Sequence, residues 1–325
     1  MANNEEYNQN IRGNRGGRMI EDILQALELE SLENGYQANI SLWEQYFKGD
    51  VEGFHEYQEY NGIESVDRTR ATLGMAKSGC EEWADIMYNP ETKITMNESY
   101  QDRLEEILSY NNFAQEVNFG IERGFALGTM GILTTNIRNI PKITIVTADM
   151  MIPITKGGQF GWAVISEYAT DIYYVSIHYH ELDGVNTVEN AIITVENDKV
   201  NVMTEAEMKE VYNISPRVDY PTPMLQIVKP AIANNIDPLT PYGISVYANA
   251  LSELQGIDLA YSGMMIDINT GHRITFTTVD NLENVNGKPK FVPREGYYVM
   301  EGQSTFDDGT SIKFQEPKLQ RSEEH

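Results

Sequence analysis

The stretch PYGISVYANALSELQGIDLAYSGMMID, residues 241–267, decides how the rest of the chain is read. Thr240 stands where an N-cap belongs, and Pro241 suits a first helical turn, where its missing N–H costs nothing. Ile244, Tyr247, Leu251, Leu254, Ile257, Tyr261 and Met264 follow at intervals of three and four, so the spacing predicts one long helix with an apolar face. Asp258 falls on the same stripe and is the one residue that interrupts it. At 1.5 Å per residue the helix would be roughly 40 Å long. Gly256, at about 1 kcal/mol against Ala, marks a bend or a close approach. Asn249, Ser252, Glu253 and Asp267 lie off the apolar face. Beyond Gly271 the pattern is strand-like: Arg273–Thr278, a turn at Asn286–Gly287, Tyr297–Met300, and a turn at Asp307–Gly309.

Upstream, the chain changes character twice. Residues 1–18 are polar, rich in Asn and Gly, and without periodicity, which reads as a mobile arm; Arg12, Arg15 and Arg18 are too few to make it a nucleic-acid element. From Met19 the period is helical. Ile20, Ile23, Leu24 and Leu27 share a face, with a stop at Gly35, and an aromatic helix with Trp43, Tyr46 and Phe47 ends at Gly49. A helix over Val66–Tyr88 carries the stripe Leu73, Ala76, Cys80, Trp83 and Met87. Another begins near Asn97 and keeps Leu104, Ile107, Leu108, Ala114, Val117 and Ile121 on one side, with an irregularity at Asn111–Asn112. Around Lys142 the period becomes two. The expected strands are Ile143–Thr147, Gly161–Glu167, Ile172–His180, Ala191–Glu196 and Val200–Met203, an antiparallel meander with one buried face. A short helix, Glu205–Tyr212, and a proline-rich run lead to Pro241. The fold class is therefore α+β: a helical N-terminal part, an antiparallel sheet, a long helix and a small β-rich end.

Composition narrows the function. The 325 residues are 41% hydrophobic, enough for one or two large cores, and 24 basic against 49 acidic residues leave a net charge of -25. Such a surface repels phosphates and disfavours tight reading of nucleic acid, while leaving open a lining past which DNA slides. The lone Cys80 excludes an intramolecular disulfide and reads as a buried, inert thiol. No apolar run approaches the ~20 residues needed to span a bilayer. Phosphate-binding loops ending in Lys-Ser/Thr, Gly-x-Ser-x-Gly, His-Glu-x-x-His and paired Cys-x-x-Cys are all missing. Adjacent carboxylates such as Glu81–Glu82 and Glu105–Glu106 diverge by about 100° on a helix and are solvated faces. In IHYH, His178 and His180 point to one face of a strand and are weak candidates for metal, with Glu181 or Asp183 as a third ligand. Tyr173, Val175, Ile177 and Tyr179 form the core side. Ile172, Tyr174, Ser176, His178 and His180 form a mixed outer face suited to solvent or a neighbouring subunit. No cofactor is expected.

Three segments carry a resemblance. LWEQYFKGDVEGFHEYQEYNG (42–62) and RATLGMAKSGCEEWADIMYN (70–89) contain a Trp/Tyr–Gly element, R-x-x-L-x-M-A-K, and C-x-x-W-A-x-x-x-x-N. YGISVYANALSELQGIDLAYSGMMIDINTGHRITF (242–276) contains G-I-S-V-Y-A-N-A, then G-I-D-L-A-Y and a Gly-His-Arg-Ile strand; Ser262 stands where an acidic residue is usual. These segments resemble the portal proteins of tailed bacteriophages, of the siphophage type from Gram-positive hosts. The resemblance implies a non-enzymatic virion subunit, assembled in the host bacterial cytoplasm into a ring, usually a 12-mer, at the unique capsid vertex. Double-stranded DNA is packaged and ejected through that ring. Its partners are itself, terminase large subunit, head–tail adaptor, capsid and scaffolding proteins, with no membrane. Residues 1–18 would be an arm, 19–240 the wing, 241–270 the stem helix, and 271–325 the clip and the start of a following helix. Ile244, Tyr247, Leu251, Leu254, Ile257, Tyr261 and Met264 would form the subunit interface in the stem, with Glu253 and Asp267 on the channel side. Family members continue into a second stem helix, channel loop and crown. Two other readings compete: a metal-dependent enzyme using His178 and His180, and a monomeric acidic binding module.

Overall fold

A computed structural model describes residues 14–33, 35–60, 65–89, 91–137, 140–196 and 199–270, with four short strands between 275 and 300. The chain is mixed α+β with mostly antiparallel sheets, in two compact units: Met1–Tyr57 with Gly74–Leu254, and Gln58–Leu73 with Gln255–His325.

The first unit opens with α1 (Asn14–Ala26), whose Ile23 and Leu24 are buried. It starts inside the stretch expected to be a mobile arm; Arg12 lies outside the described residues. It also ends earlier than Gly35, because Glu28 turns left-handed and β1 (Glu30–Ser31) joins a sheet. The aromatic helix α2 (Gln37–Lys48) closes as expected at Gly49, whose φ of 70° lets its N–H reach back to the last carbonyls. A strand β2 (Glu56–Tyr60) and β3 (Ser65–Thr69) form a two-stranded ribbon that passes into the second unit.

The predicted helix over Val66–Tyr88 is corrected. Val66 belongs to β3, and helix α3 runs only over Met75–Met87, after Gly74 at φ 68°. Its inward residues are Ala76, Cys80 and Ala84, while Leu73, Trp83 and Met87 are exposed. Small residues at intervals of four let α3 lie close to its neighbour, so the large side chains fall to the outside. The next segment behaves as read. Helix α4 (Glu98–Tyr110) is capped by Asn97, and α5 (Phe113–Leu127) follows a break at Asn111–Asn112, where Asn112 has φ 47°. Buried Asn111 ties the break to the sheet beyond: its amide donates to the Pro141 carbonyl at 2.9 Å and accepts from Ile143 N–H at 2.8 Å.

Strands β4 (Met130–Ile137) and β5 (Ile140–Thr147) form a hairpin, and β6 (Met151–Lys156), β7 (Gln159–Ala169), β8 (Ile172–Tyr179), β9 (Asn186–Glu196) and β10 (Lys199–Val202) follow. The larger sheet has the order β1-β6-β7-β8-β9-β10, with β11 (Arg217–Tyr220) also pairing with β9. The expected meander is present, and β6 and β7 turn through Gly157 and Gly158, both left-handed. Before β11, the short helix expected over Glu205–Tyr212 is one turn, Glu205–Glu207, with a Thr204–Glu207 capping box, widening into a π-type turn over Met208–Tyr212. β12 (Leu225–Val228), inside the proline-rich run, pairs with β4 in a three-stranded sheet, β12-β4-β5. β1, β2, β3, β4, β6, β11 and β12 are absent from the sequence reading.

Both faces of the larger sheet are covered, not one. Ile152, Ile154, Ala163, Val175, Ile177, Ala191 and Ile193 meet α1 in one core. Met151, Trp162 and Val164, alternating with them, belong to the other core with α2, α3, α5 and Leu225. Glycine makes the closest approaches possible: a Cβ on Gly120 of α5 would lie 2.7 Å from Ile145 of β5.

In the second unit the described residues are the ribbon to Leu73, the helical segment from Gln255 to Thr270, and short strands. β13 (Thr275–Thr278) pairs in parallel with β16 (Tyr297–Met300), and β14 (Asn284–Val285) with β15 (Lys288–Pro289) antiparallel. Strands therefore occur where the C-terminal pattern placed them; Arg273, the Asn286–Gly287 turn and the Asp307–Gly309 turn lie outside the described residues.

Candidate functional site

The long helix does not begin at Pro241. A 3-10 turn over Ala248–Ala250 leads into α6 (Leu251–Thr270), and Tyr242–Tyr247 is irregular chain threaded through the core of the first unit. Gly243 and the β-branched Ile244 and Val246 weaken a helix here. The tertiary partners are strong. Tyr242 Oη donates to the Met151 carbonyl at 2.6 Å, Tyr36 Oη to the Gly243 carbonyl at 3.0 Å, and Tyr247 Oη to the Trp43 carbonyl at 2.7 Å. The Gly243 N–H donates to Thr129 Oγ1 at 2.9 Å, and Val246 N–H to the Phe125 carbonyl at 3.0 Å. The rings of Tyr36 and Tyr242 stack at 5.4 Å. Gly243 passes so close to Gly128 that neither position admits a side chain.

The candidate interface residues consequently separate into three groups. Ile244 and Tyr247 are buried in the chain's own core, so they are not free for a neighbouring copy. Leu251 and Leu254 are half-buried and packed against that core. Ile257 (38% exposed) and Met264 (51%) are open, and Tyr261 is half-buried.

Asp258, which breaks the apolar stripe in the sequence, is the inward anchor of the helix. It is 8% exposed and accepts from the Leu73 N–H at 2.8 Å and from Thr72 Oγ1 at 3.2 and 3.3 Å. Ser262, one turn on, is 6% exposed and accepts from the Ala71 N–H at 3.4 Å. With the polar pair inward, apolar side chains turn out: Leu259, Ile266 and Ile268 join Ile257 and Met264 as exposed. At about 100° per residue, Ile257, Met264 and Ile268 form one ridge and Leu259 and Ile266 another. Between the ridges lie Gly256, Ala260 and Gly263, and a Cβ added at either glycine would meet nothing within 4 Å. Glu253 and Asp267 are both exposed on that outer side, about 40° apart around the axis. The Ser252 hydroxyl donates to Glu253 at 2.8 Å and holds its pKa below the usual range. The signal that could have located this arrangement is the small-residue spacing of Gly256, Ala260 and Gly263.

The two histidines line one cleft but differ in exposure. The face carrying Ser176 and His178 was expected outside; both residues are buried there, because β12 and its sheet cover it. His178 Nε2 lies 3.1 Å from Ser176 Oγ, and burial pushes its pKa down to about 4, so the ring is neutral near pH 7. His180 is exposed beyond the strand end, edge-on to Phe160 at 4.8 Å. Glu181 and Asp183 are exposed, and no group of three His, Cys, Asp or Glu able to hold a metal occurs among the described residues. A cleft of about 380 Å³ opens beside His178 and Asn186, walled by Trp162 and by β12.

Cys80 is fully buried, and burial, followed by the nearby Glu122 carboxylate, pushes its thiol up to about 12. That is the inert thiol the sequence indicates. Glu81, Glu82, Glu105 and Glu106 are all exposed, Glu106 pairing with Arg103. No helix among the described residues is long and apolar enough to cross a membrane. Compared with known proteins, the chain matches no family model and no curated protein.

Proposed function

We propose that the chain is a structural, non-enzymatic subunit of a ring through which double-stranded DNA passes, a portal protein of a tailed bacteriophage. The observation that carries this reading is α6. Its two exposed apolar ridges lie about 170° apart around the axis, with Gly256, Ala260, Gly263, Glu253 and Asp267 on the arc between them, so each ridge needs a facing helix of its own. Sister copies related by rotation supply such helices through a head-to-tail interface that closes. The stem interface in this reading is Ile257, Leu259, Met264, Ile266 and Ile268. Ile244 and Tyr247 leave it, and Leu251 and Leu254 serve the subunit's own core.

Two further features support the reading. A net charge of -25 per copy gives DNA repulsive walls to slide past. Exposed Trp83, Ile86 and Met87 on α3 and Phe119 on α5 offer the first unit additional apolar surface to neighbours. The motifs at 42–62, 70–89 and 242–276 supply the family. In that setting the first unit is the wing, α6 the stem, and the strands beyond Thr270 the beginning of a clip for terminase and adaptor.

The test is electron microscopy and solution mass of the full-length gene product, alongside an Ile257→Asp/Ile266→Asp double variant. Rings with an axial hole are expected for the natural protein, and monomers with unchanged thermal unfolding for the variant. Monomers for both would overturn the proposal and favour an acidic binding module; bound stoichiometric zinc lost on His178→Ala would favour an enzyme.

A further inference from the structure

The cleft of about 380 Å³ runs along β12, and its lining shows which side of the strand it follows. Consecutive residues from Pro223 to Ile227 all border it. Successive side chains of a strand point to opposite faces, so a cavity on one face would touch only every second residue. A cavity that touches the whole run lies along the edge. The other edge of β12 is taken by β4, so the cleft follows the free one.

That edge carries a row of unused main-chain groups. The Met224 carbonyl accepts from the Thr134 N–H at 2.7 Å, and Leu225 stands opposite Leu133. In an antiparallel pair the bonded positions alternate, so Met224, Gln226 and Val228 bond to β4. Leu225 and Ile227 aim their N–H and C=O groups the other way, and among the described residues nothing pairs with them. Leu225 is only 9% exposed, and backbone polar groups so far from water are nearly always satisfied. A floor lies beside them. Trp162, His178 and Val188 stand opposite one another across β7, β8 and β9, and all three are buried. Pro221, Pro223 and Pro230 confine the open edge to a few residues, which keeps long strands off it. A short strand laid here adds one member to the sheet β12-β4-β5 and turns its inner side chains onto that floor.

We propose that the free edge of β12 is a docking site for a short extended segment of a partner polypeptide carrying Lys or Arg. Main-chain pairing selects an extended strand, and charge selects its sequence. Gln226, His180 and Glu181 form the exposed mouth, with Asp183 just beyond. No Lys or Arg lines the cleft, and the chain as a whole carries a net charge of -25. A basic side chain on the outer face of the docked strand meets Glu181, and an acidic one is repelled. The site lies wholly within the first unit and stands independently of ring assembly.

The probe is the capped pentapeptide Ac-Thr-Val-Lys-Val-Thr-NH2, titrated into the full chain labelled with ¹⁵N. Saturable shifts of the Leu225 and Ile227 amides are expected, with the Gln226 amide, already bonded to β4, unchanged. With peptide at about ten times its Kd, hydrogen exchange at Leu225 and Ile227 should slow roughly tenfold. Methylating the peptide nitrogens of both Val residues, or instead those of Lys and both Thr residues, should abolish binding for one set and spare it for the other. Only one edge of the peptide faces β12. Replacing its Lys by Glu should weaken binding about fivefold, and Glu181→Lys, a change at an exposed residue, should reverse that preference. No saturable response, equal behaviour of the two methylated peptides, or indifference to the sign of the central charge would overturn the proposal. Slow exchange at Leu225 and Ile227 before peptide is added would overturn it too. The edge is then filled by this chain itself, or by a second copy where protection grows with protein concentration. The peptide comparisons use the natural protein, so they do not depend on a variant folding.

Discussion

Asp258→Leu separates pattern from structure. By sequence alone the substitution completes an apolar stripe and should stabilise the helix. In the structure it removes the acceptor for the Leu73 N–H at 2.8 Å and for Thr72 Oγ1. A hydrogen bond to a charged acceptor contributes about 1.5–3 kcal/mol. Leu73 is 47% exposed, so water recovers part of that, and the expected net loss is about 2 kcal/mol. Asp258→Asn keeps an acceptor oxygen without the charge, and should lose about half as much. Native-state hydrogen exchange at the Leu73 amide reads the effect locally. A loss of about 2 kcal/mol corresponds to exchange faster by roughly thirtyfold, against roughly fivefold for Asn. Because both partners lie in the second unit, the amides of β7 and β8 in the first should be unaffected. Unchanged protection at Leu73 in Asp258→Leu would refute the anchoring role.

His178 makes stability sensitive to acid. Its folded pKa, about 4, lies below the ordinary value of 6.5, so between these pH values the unfolded chain takes a proton that the folded chain refuses. Stability conferred by the neutral ring is full above pH 6.5 and lost on descending to about pH 4, by about 3 kcal/mol. Urea unfolding across that range should show this extra loss in the natural protein and not in His178→Asn. Gly243→Ala places a methyl group against the Gly128 carbonyl and the Lys229 side chain; thermal unfolding should register a loss of about 3 kcal/mol or more. Cys80 should resist iodoacetamide at pH 8 in the folded protein and react fully in denaturant, as mass spectrometry would show.

Local features proved readable where local physics dominates. Gly49 and Asn97 ended and began helices because a left-handed C-cap and a side-chain N-cap need only their own neighbours. The break at Asn111–Asn112 and the strands from Gln159 to Val202 followed from turn chemistry and alternation. β4, β6, β11 and β12 were missed because strands covered on both faces, or short and set among prolines, carry no clean alternation. The outward placement of His178 failed for the same reason: nothing in IHYH records that β12 lies over it.

The amino-acid pattern by itself determined the α+β class, the caps and turns, the inert thiol, and a helix rich in apolar residues late in the chain. Only the tertiary structure decided that Tyr242–Tyr247 would be core and not helix, and that Asp258 would face inward. A period reports which residues share a face, but the direction of that face is set by what packs against it. Here two backbone donors from Ala71 and Leu73 and one hydroxyl from Thr72 reward the polar side more than solvent does, and the apolar ridges are left outside.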